Sequence, residues 1–458
     1  MIHGLKRRLE SLMDDYTPLC LALALVILTL TGVGDVRITG ITGLLLCGAG
    51  VLQDSARADF RILLPLVFYD LASMASSCMA YGNIVDGYGA MHALFPVICL
   101  LTACLDGNGL RLLRRCCVFW AGSMAAAGIG RFVFRAVVQG RAWRMAGLLG
   151  SSNAMGIFLV AGWFIMLHCT DEDTEQGETA LLFWLEPVLL IALALTLSMG
   201  SFLAMAAGIG VLLAEKKKAS SLKTTFRYAC RLLARVVLGM GTGMLVYLAA
   251  ARTSVPWVCL PLLAYGAAMA VCWKTFGRFL EEYPRMAFLI ASLGILVAAA
   301  AVALRPSAAA TFAERLEMMK SGLGYLTDAP LFGVGPFQWR ILDLNDGGKY
   351  FNTWHIHNVP IHIGVEMGWI AMAMIILAGF GALRGKKSPF LRAGVAAFLF
   401  HNLIDTSFFY LGITALTIVA AGGPGEGGRN MGRRAVKTVF ALFAGLFACS
   451  LYYAVCGT

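Results

Sequence analysis

The chain has 458 residues, of which 59% are hydrophobic and only 14% charged, with a net charge of +11. A soluble domain carries about 25% charged residues, so a soluble enzyme is excluded. An outer-membrane barrel is excluded too, because its weak dyad alternation is absent. In so apolar a chain a positive balance marks cytoplasmic anchoring loops. With no zinc-finger spacing and no aromatic-basic motif, nucleic acid is set aside, and the lipid bilayer is the partner expected.

The opening segment, MIHGLKRRLESLMDDY, is a basic flank with no clear cleavage site after it, and it reads as a retained first span. Apolar runs then recur near 17–34, 37–52, 62–82, 89–105, 116–134, 154–169, 180–197, 201–214, 233–251, 256–273, 286–304, 359–383, 390–407, 409–422 and 435–456. A helix needs roughly 17–25 residues to cross a bilayer, and the short runs leave about 12 to 15 spans. The expectation is an all-α polytopic membrane protein, one integral membrane domain over 1–458. The thirteen cysteines lie almost all within these runs, without C-x-x-C, and read as small core hydrophobes.

Lys and Arg in the connections set the orientation. With the N-terminus inside, KRR, EKKKASSLKTTFRYACR, RGKKSPFLR and GGRNMGRRAVK all fall on the cytoplasmic side. The acidic loop DEDTEQGE falls there as well. Two outer segments stand apart. RFVFRAVVQGRAWRMAGLLGSSNAMG brings Arg131, Arg135, Arg141 and Arg144 together with no acidic residue. Either one span is miscounted and this loop is inside, or these arginines hold an anion, for which their planar donors suit a phosphate. The second is the long connection 305–358. In it Phe312, Leu316, Met319, Leu323 and Leu326 repeat at helical spacing, which predicts an amphipathic helix near 308–327 with Arg315 at the edge of its stripe. APLFGVGPF ends that helix.

The long connection closes on TWHIHNVPIHIGVEMG. Asn358 is a preferred N-cap and Pro360 is tolerated in a first turn, so a helix starts there, with His355 and His357 just before it. His362 and Glu366 are four apart and share a face. Glu366 falls about 12 Å along the axis from Asn358 at 1.5 Å per residue, and a carboxylate at that depth is a functional candidate. A His near a helix end is also a common structural residue, and H-x-H is a usable but weak metal pair. Beside outer arginines, a histidine suits general base work on an acceptor hydroxyl, with arginine neutralising a phosphate leaving group.

Four motifs in order then carry a resemblance: R-x-x-G…S-x-N at Arg144, Gly147 and Asn153; S-M-G-S at Ser198–Ser201; ERLEMMKSGLGYLTDAPLFGVGPFQW; and H-N-(x)7-E-x-G at His357, Asn358, Glu366 and Gly368. Over residues 140–410 the chain resembles the O-antigen ligase and polymerase family of membrane glycosyltransferases. The resemblance implies a GT-C-like helical bundle with one long extracytoplasmic loop, in the cell membrane. It implies transfer of a glycan from a polyprenyl-pyrophosphate carrier to a saccharide or envelope acceptor, with no cofactor and no required metal. It maps the base onto His357 and the pyrophosphate grip onto Arg144 and Arg315, with His355, Asn358 and Glu366 in support. Where the family commonly has S-R-G, this chain has Ser198-Met199-Gly200, and Arg131, Arg135 or Arg141 would have to replace that contact. A transporter of a small anionic solute is the alternative class, marked by paired broken spans.

Overall fold

A computed structural model describes residues 2–175, 181–252, 257, 259–303, 307–350, 353–385, 388–423 and 428–456. The tail of the acidic loop (176–178), the lysines of RGKKSPFLR and part of AGGPGEGGRNMGRR lie outside these residues. Among the described residues the fold is all-α apart from one short ribbon, and the chain divides into two compact units.

The first unit takes residues 1–116, 313–387 and 399–458; the second takes 117–312 and 388–398. The chain runs through α1 (Ile2–Thr31), α2 (Val36–Val51), β1 (Ser55–Ala58), α3 (Phe60–Tyr81), α4 (Gly89–His92), α5 (Leu94–Thr102) and α6 (Gly107–Gln139). There follow α7 (Ser152–Glu175), α8 (Glu186–Thr196), α9 (Met199–Ala219), α10 (Leu222–Arg252), α11 (Cys259–Val271), α12 (Trp273–Glu282) and α13 (Pro284–Ala303). The chain continues with α14 (Ser307–Asp328), α15 (Trp339–Asn345), α16 (Val359–Leu383), α17 (Pro389–His401), α18 (Leu411–Ala421), β2 (Arg429–Gly432) and α19 (Arg433–Cys456).

Each of the fifteen predicted apolar runs overlaps a helix among the described residues, though several overrun its end. Among the described residues seven helices are long and apolar enough to cross a membrane, namely α3, α6, α7, α9, α10, α16 and α19; eight more apolar helical stretches run for 10–17 residues. A chain so built is a multi-pass helical protein, because a helix satisfies its own backbone in lipid.

In the second unit α7 is the buried centre, with Met155, Phe158, Trp163 and Phe164 wholly unexposed. At the start of α8, Glu186 is also wholly buried. It accepts from the indole N–H of Trp163 at 3.1 Å and of Trp273 at 2.8 Å, and Arg235 stands 3.4 Å away. Such pairing is what a carboxylate needs to stay in an apolar interior.

In the first unit α3 packs along α16, and α2 packs along α19. Small residues permit the second approach: a Cβ on Gly43 would come within 2.5 Å of the Phe447 ring. β1 and β2 pair antiparallel, Ser55 with Gly432 and Ala58 with Arg429, and so tie the α2–α3 connection to the start of α19.

α16 is broken. Gly368 has φ 85 and ψ 174, a region essentially reserved for glycine. The segment 329–337 docks into this break. Trp369 N–H donates to the Pro330 carbonyl at 2.8 Å, Val334 N–H to Val365 at 2.8 Å, and Gly335 N–H to Glu366 at 3.0 Å. Ser76 of α3 adds a bond to the Glu366 carbonyl at 2.8 Å. Backbone groups freed by the break thus find partners inside the protein.

The apolar stripe predicted on α14 is only in part its packed face: Leu326 is buried and Met319 half-buried against the core. Phe312, Leu316 and Leu323 are 57%, 49% and 47% exposed, whereas Met318 and Leu326 are buried and Arg315 is half-buried. Arg315 turns to the buried carboxylate of Asp405. A stripe of hydrophobic residues identifies the buried side only when the surroundings are water.

Candidate active site at the start of the broken helix

Asn358 caps α16. Its backbone is extended (φ −157, ψ 107) and its Oδ1 accepts the Ile361 N–H at 3.0 Å. The same side chain donates through Nδ2 to the Leu403 carbonyl at 3.1 Å, and Val359 N–H donates to the Asn402 carbonyl at 2.8 Å. The helix start is therefore fastened to the turn 402–410 that follows α17. That turn is held by Asn402, whose Oδ1 accepts the Phe408 N–H at 2.7 Å and the Ser407 hydroxyl at 3.2 Å. The apolar span expected over 390–407 stops short, because α17 ends at His401 and 402–407 form the turn.

The turn presents Asp405, which is 5% exposed. His357 Nδ1 lies 3.6 Å from Asp405 Oδ1, and Arg315 Nη2 lies 3.4 Å from Asp405 Oδ2. Arg315 also donates to the Ile404 carbonyl. Burial alone would raise the Asp405 carboxyl, but His357, His401 and Arg315 outweigh it and hold the group well below the usual carboxylate range. Asp405 is an anion at neutral pH. Nδ1 of His357 is buried against it while 24% of the side chain stays exposed, so the open part of the ring is the side away from the carboxylate. A carboxylate on one ring nitrogen fixes the tautomer and leaves Nε2 to take a proton.

Behind this constellation lies a second pair. His362 Nε2 and Glu366 Oε2 are 3.3 Å apart and both side chains are wholly buried. His362 Nδ1 accepts the Ile356 N–H at 3.4 Å, and Glu366 Oε1 accepts the Trp339 N–H at 3.2 Å. The pair thus holds the backbone of the turn carrying His357, and Glu366 lies away from the open part of the site. His355 stacks on Phe409 at 4.3 Å and meets the His362 ring edge-on at 4.9 Å. Burial, reinforced by the neighbouring histidines, holds the His355 imidazole well below its ordinary value, so it is neutral at pH 7. The H-x-H pair therefore parts, His357 to Asp405 and His355 to Phe409. Among the described residues no three His, Cys, Asp or Glu side chains gather as metal ligands.

The second unit holds an arginine cleft of about 160 Å³, lined by Arg131, Arg135, Trp143, Arg144 and glycines 128, 147 and 150. Arg131 donates to the Gly147 carbonyl at 2.9 Å. Arg144 donates to the Thr196 carbonyl at 3.1 Å and to Asn153 Oδ1 at 2.8 Å. Ser198 donates to the same Asn153 oxygen at 3.0 Å and caps α9. Met199, which stands where the resembled family has arginine, is the first residue of that helix. Arg141 does not line the cleft; its backbone N–H donates to the Arg135 carbonyl at 3.2 Å.

Sequence reasoning missed Asp405 and Asn402. One signal was available: the dipeptide His-Asn occurs at 357–358 and again at 401–402, and Asp405 follows the second. A search of protein-family models and of curated proteins gave no match to this chain.

Proposed function

We propose that the chain is a membrane glycosyltransferase. It moves a glycan from a polyprenyl-pyrophosphate carrier to a saccharide or cell-envelope acceptor on the extracytoplasmic side, without a required metal. The observation that carries this reading is the partly exposed His357 backed by Asp405 and Arg315 at a capped helix start. The acceptor hydroxyl gives its proton to His357 Nε2 as its oxygen attacks the anomeric carbon. The bond from that carbon to the carrier breaks, and its electron pair leaves on the pyrophosphate oxygen. Asp405 stabilises the imidazolium that forms. Within the second unit Arg131, Arg135 and Arg144 form a cation cluster of the kind a pyrophosphate binds, whereas Arg315 holds the Asp405 carboxylate. His357→Ala is expected to abolish product while protein reaches the membrane and carrier-linked glycan accumulates. Normal product in that variant would sink the assignment.

One observation favours a second reading, a transporter of a small anionic solute: α16 is a discontinuous span, as transporters use at their binding sites. Uptake of a labelled anion into proteoliposomes, abolished by Glu366→Ala, would decide for it.

A further inference from the structure

The segment leading to His357 is pinned at two points. Tyr350 and Ile356 are both buried in a small core with Met318, Leu326, Trp339 and Val365. Between these anchors Trp354 turns the other way and is 62% exposed. One face of its ring is covered: the Arg340 guanidinium carbon lies 4.2 Å from the ring centroid. Arg340 sits on α15, a helix that is itself held. Trp339 is wholly buried and donates to Glu366, and the Asp343 carboxylate accepts the Tyr350 N–H at 2.8 Å. The brace beneath the indole is thus tied to the same Glu366 that supports the His357 turn.

We propose that Trp354 is a stacking platform for a pyranose ring entering the His357 site, a subsite that rests on the glycosyltransferase reading above. An aromatic face carries negative quadrupole charge and the C–H bonds of a sugar face are weakly positive, so the two attract while apolar surface is buried. A cation beneath one face fixes the ring plane in advance. That leaves the opposite face for the sugar and limits the ordering cost of binding. Trp354 is three residues from His357, within about 11 Å at full extension, so the platform and the base can engage one short saccharide. The ring belongs either to the carrier-linked glycan or to the acceptor, and the chemistry of recognition is the same for both.

The test uses the full chain in membranes from cells lacking the native gene, with carrier-linked glycan and acceptor prepared from those cells. Trp354→Leu keeps an apolar side chain but removes the π face; Trp354→Phe keeps both. At matched membrane levels the Leu variant is expected to lose roughly tenfold in kcat/KM, the change that 1.4 kcal/mol makes. Its kcat should return at saturating saccharide, and the Phe variant should stay near wild type. The saccharide whose excess restores the rate identifies the ring bound. If the Leu variant does not accumulate, Trp354→Met takes its place. Wild-type kinetics in the Leu variant, the result for a residue that merely anchors in lipid, would overturn the platform. So would equal impairment of the Phe and Leu variants, or a loss that no saccharide concentration restores. His357→Ala separates the two claims: full product in it removes the glycosyltransferase reading itself, whereas an inactive His357→Ala beside a wild-type Leu variant removes only the platform.

Discussion

Gly368→Ala tests whether the break in α16 organises the site. At φ 85 and ψ 174 an alanine carries about 1–3 kcal/mol of backbone strain. Its Cβ would also run into the Leu331 carbonyl and come within 2.8 Å of the Phe332 nitrogen, both backbone atoms that move only with the whole 329–337 segment. If the segment retreats, the bonds Trp369–Pro330, Val334–Val365 and Gly335–Glu366 are lost. Each is worth about 0.5–1.5 kcal/mol, so strain and lost bonds together come to about 2.5–7.5 kcal/mol. That is large beside a total stability of about 5–15 kcal/mol. A local opening favoured by 3 kcal/mol raises the open population about a hundredfold, and proteolysis in that regime follows the open population. The assay is limited proteolysis of full-length protein in nanodiscs, reading cleavage within 329–338. Gly324→Ala is the control, since a Cβ there meets nothing within 4 Å. A cleavage rate in Gly368→Ala within about threefold of wild type would refute the reasoning, because it would place the cost below 1 kcal/mol.

Four further outcomes follow from the same geometry. Asp405→Asn removes the charge behind His357 and should slow glycan transfer by about 10²–10⁴, the range of general base catalysis, with carrier-linked glycan accumulating; an unchanged rate would show that His357 acts alone. Arg315→Lys cannot serve both the Ile404 carbonyl and Asp405 with a planar fork, and should lower the rate while membrane levels hold, as immunoblot and product analysis would show. Glu366→Gln should weaken the grip on the His357 turn and reduce kcat rather than acceptor KM; a pure KM effect would place Glu366 on the substrate instead. As for pH, His355 has a depressed folded value, so its contribution is complete above its unfolded value of about 6.5 and is lost as pH falls. Asp405 is also depressed, but its contribution is full above about 3.9 and is lost only at lower pH. Thermal unfolding should therefore show destabilisation setting in below about pH 6.5, and His355→Phe, which keeps the stack on Phe409, should remove part of it; identical slopes between pH 7 and 5 would contradict this.

The features legible in the sequence are those whose partners are close along the chain. Asn358 caps a helix three residues on, and His362 meets Glu366 one turn away, because helix geometry fixes both relations locally. Asp405 was hidden for the opposite reason. Its partners Arg315 and His357 come from two distant segments, and the turn that carries it sits between two apolar helices and was counted as part of one. Gly368 was visible as part of E-x-G, but not as a break, since the segment that makes the break tolerable, 329–337, is distant along the chain. The stripe on α14 holds at Met319 and Leu326 and fails at Phe312, Leu316 and Leu323, since lipid can cover an apolar side chain as well as protein can.

The pairing of β1 with β2 has a consequence for the order in which the molecule is built. The second unit is almost one stretch of chain, 117–312, completed by 388–398. The first draws on the beginning, the middle and the last helix, with α2 resting on α19 and β1 waiting for β2. A ribosome delivers residues in sequence at about 5–20 per second, so the helices of 117–312 can pack while synthesis continues. The packing of α2 and the pairing of β1 cannot be completed until α19 and β2 have been made. α2 therefore spends most of synthesis with its glycine face uncovered, the interval in which a membrane chaperone would have something to hold.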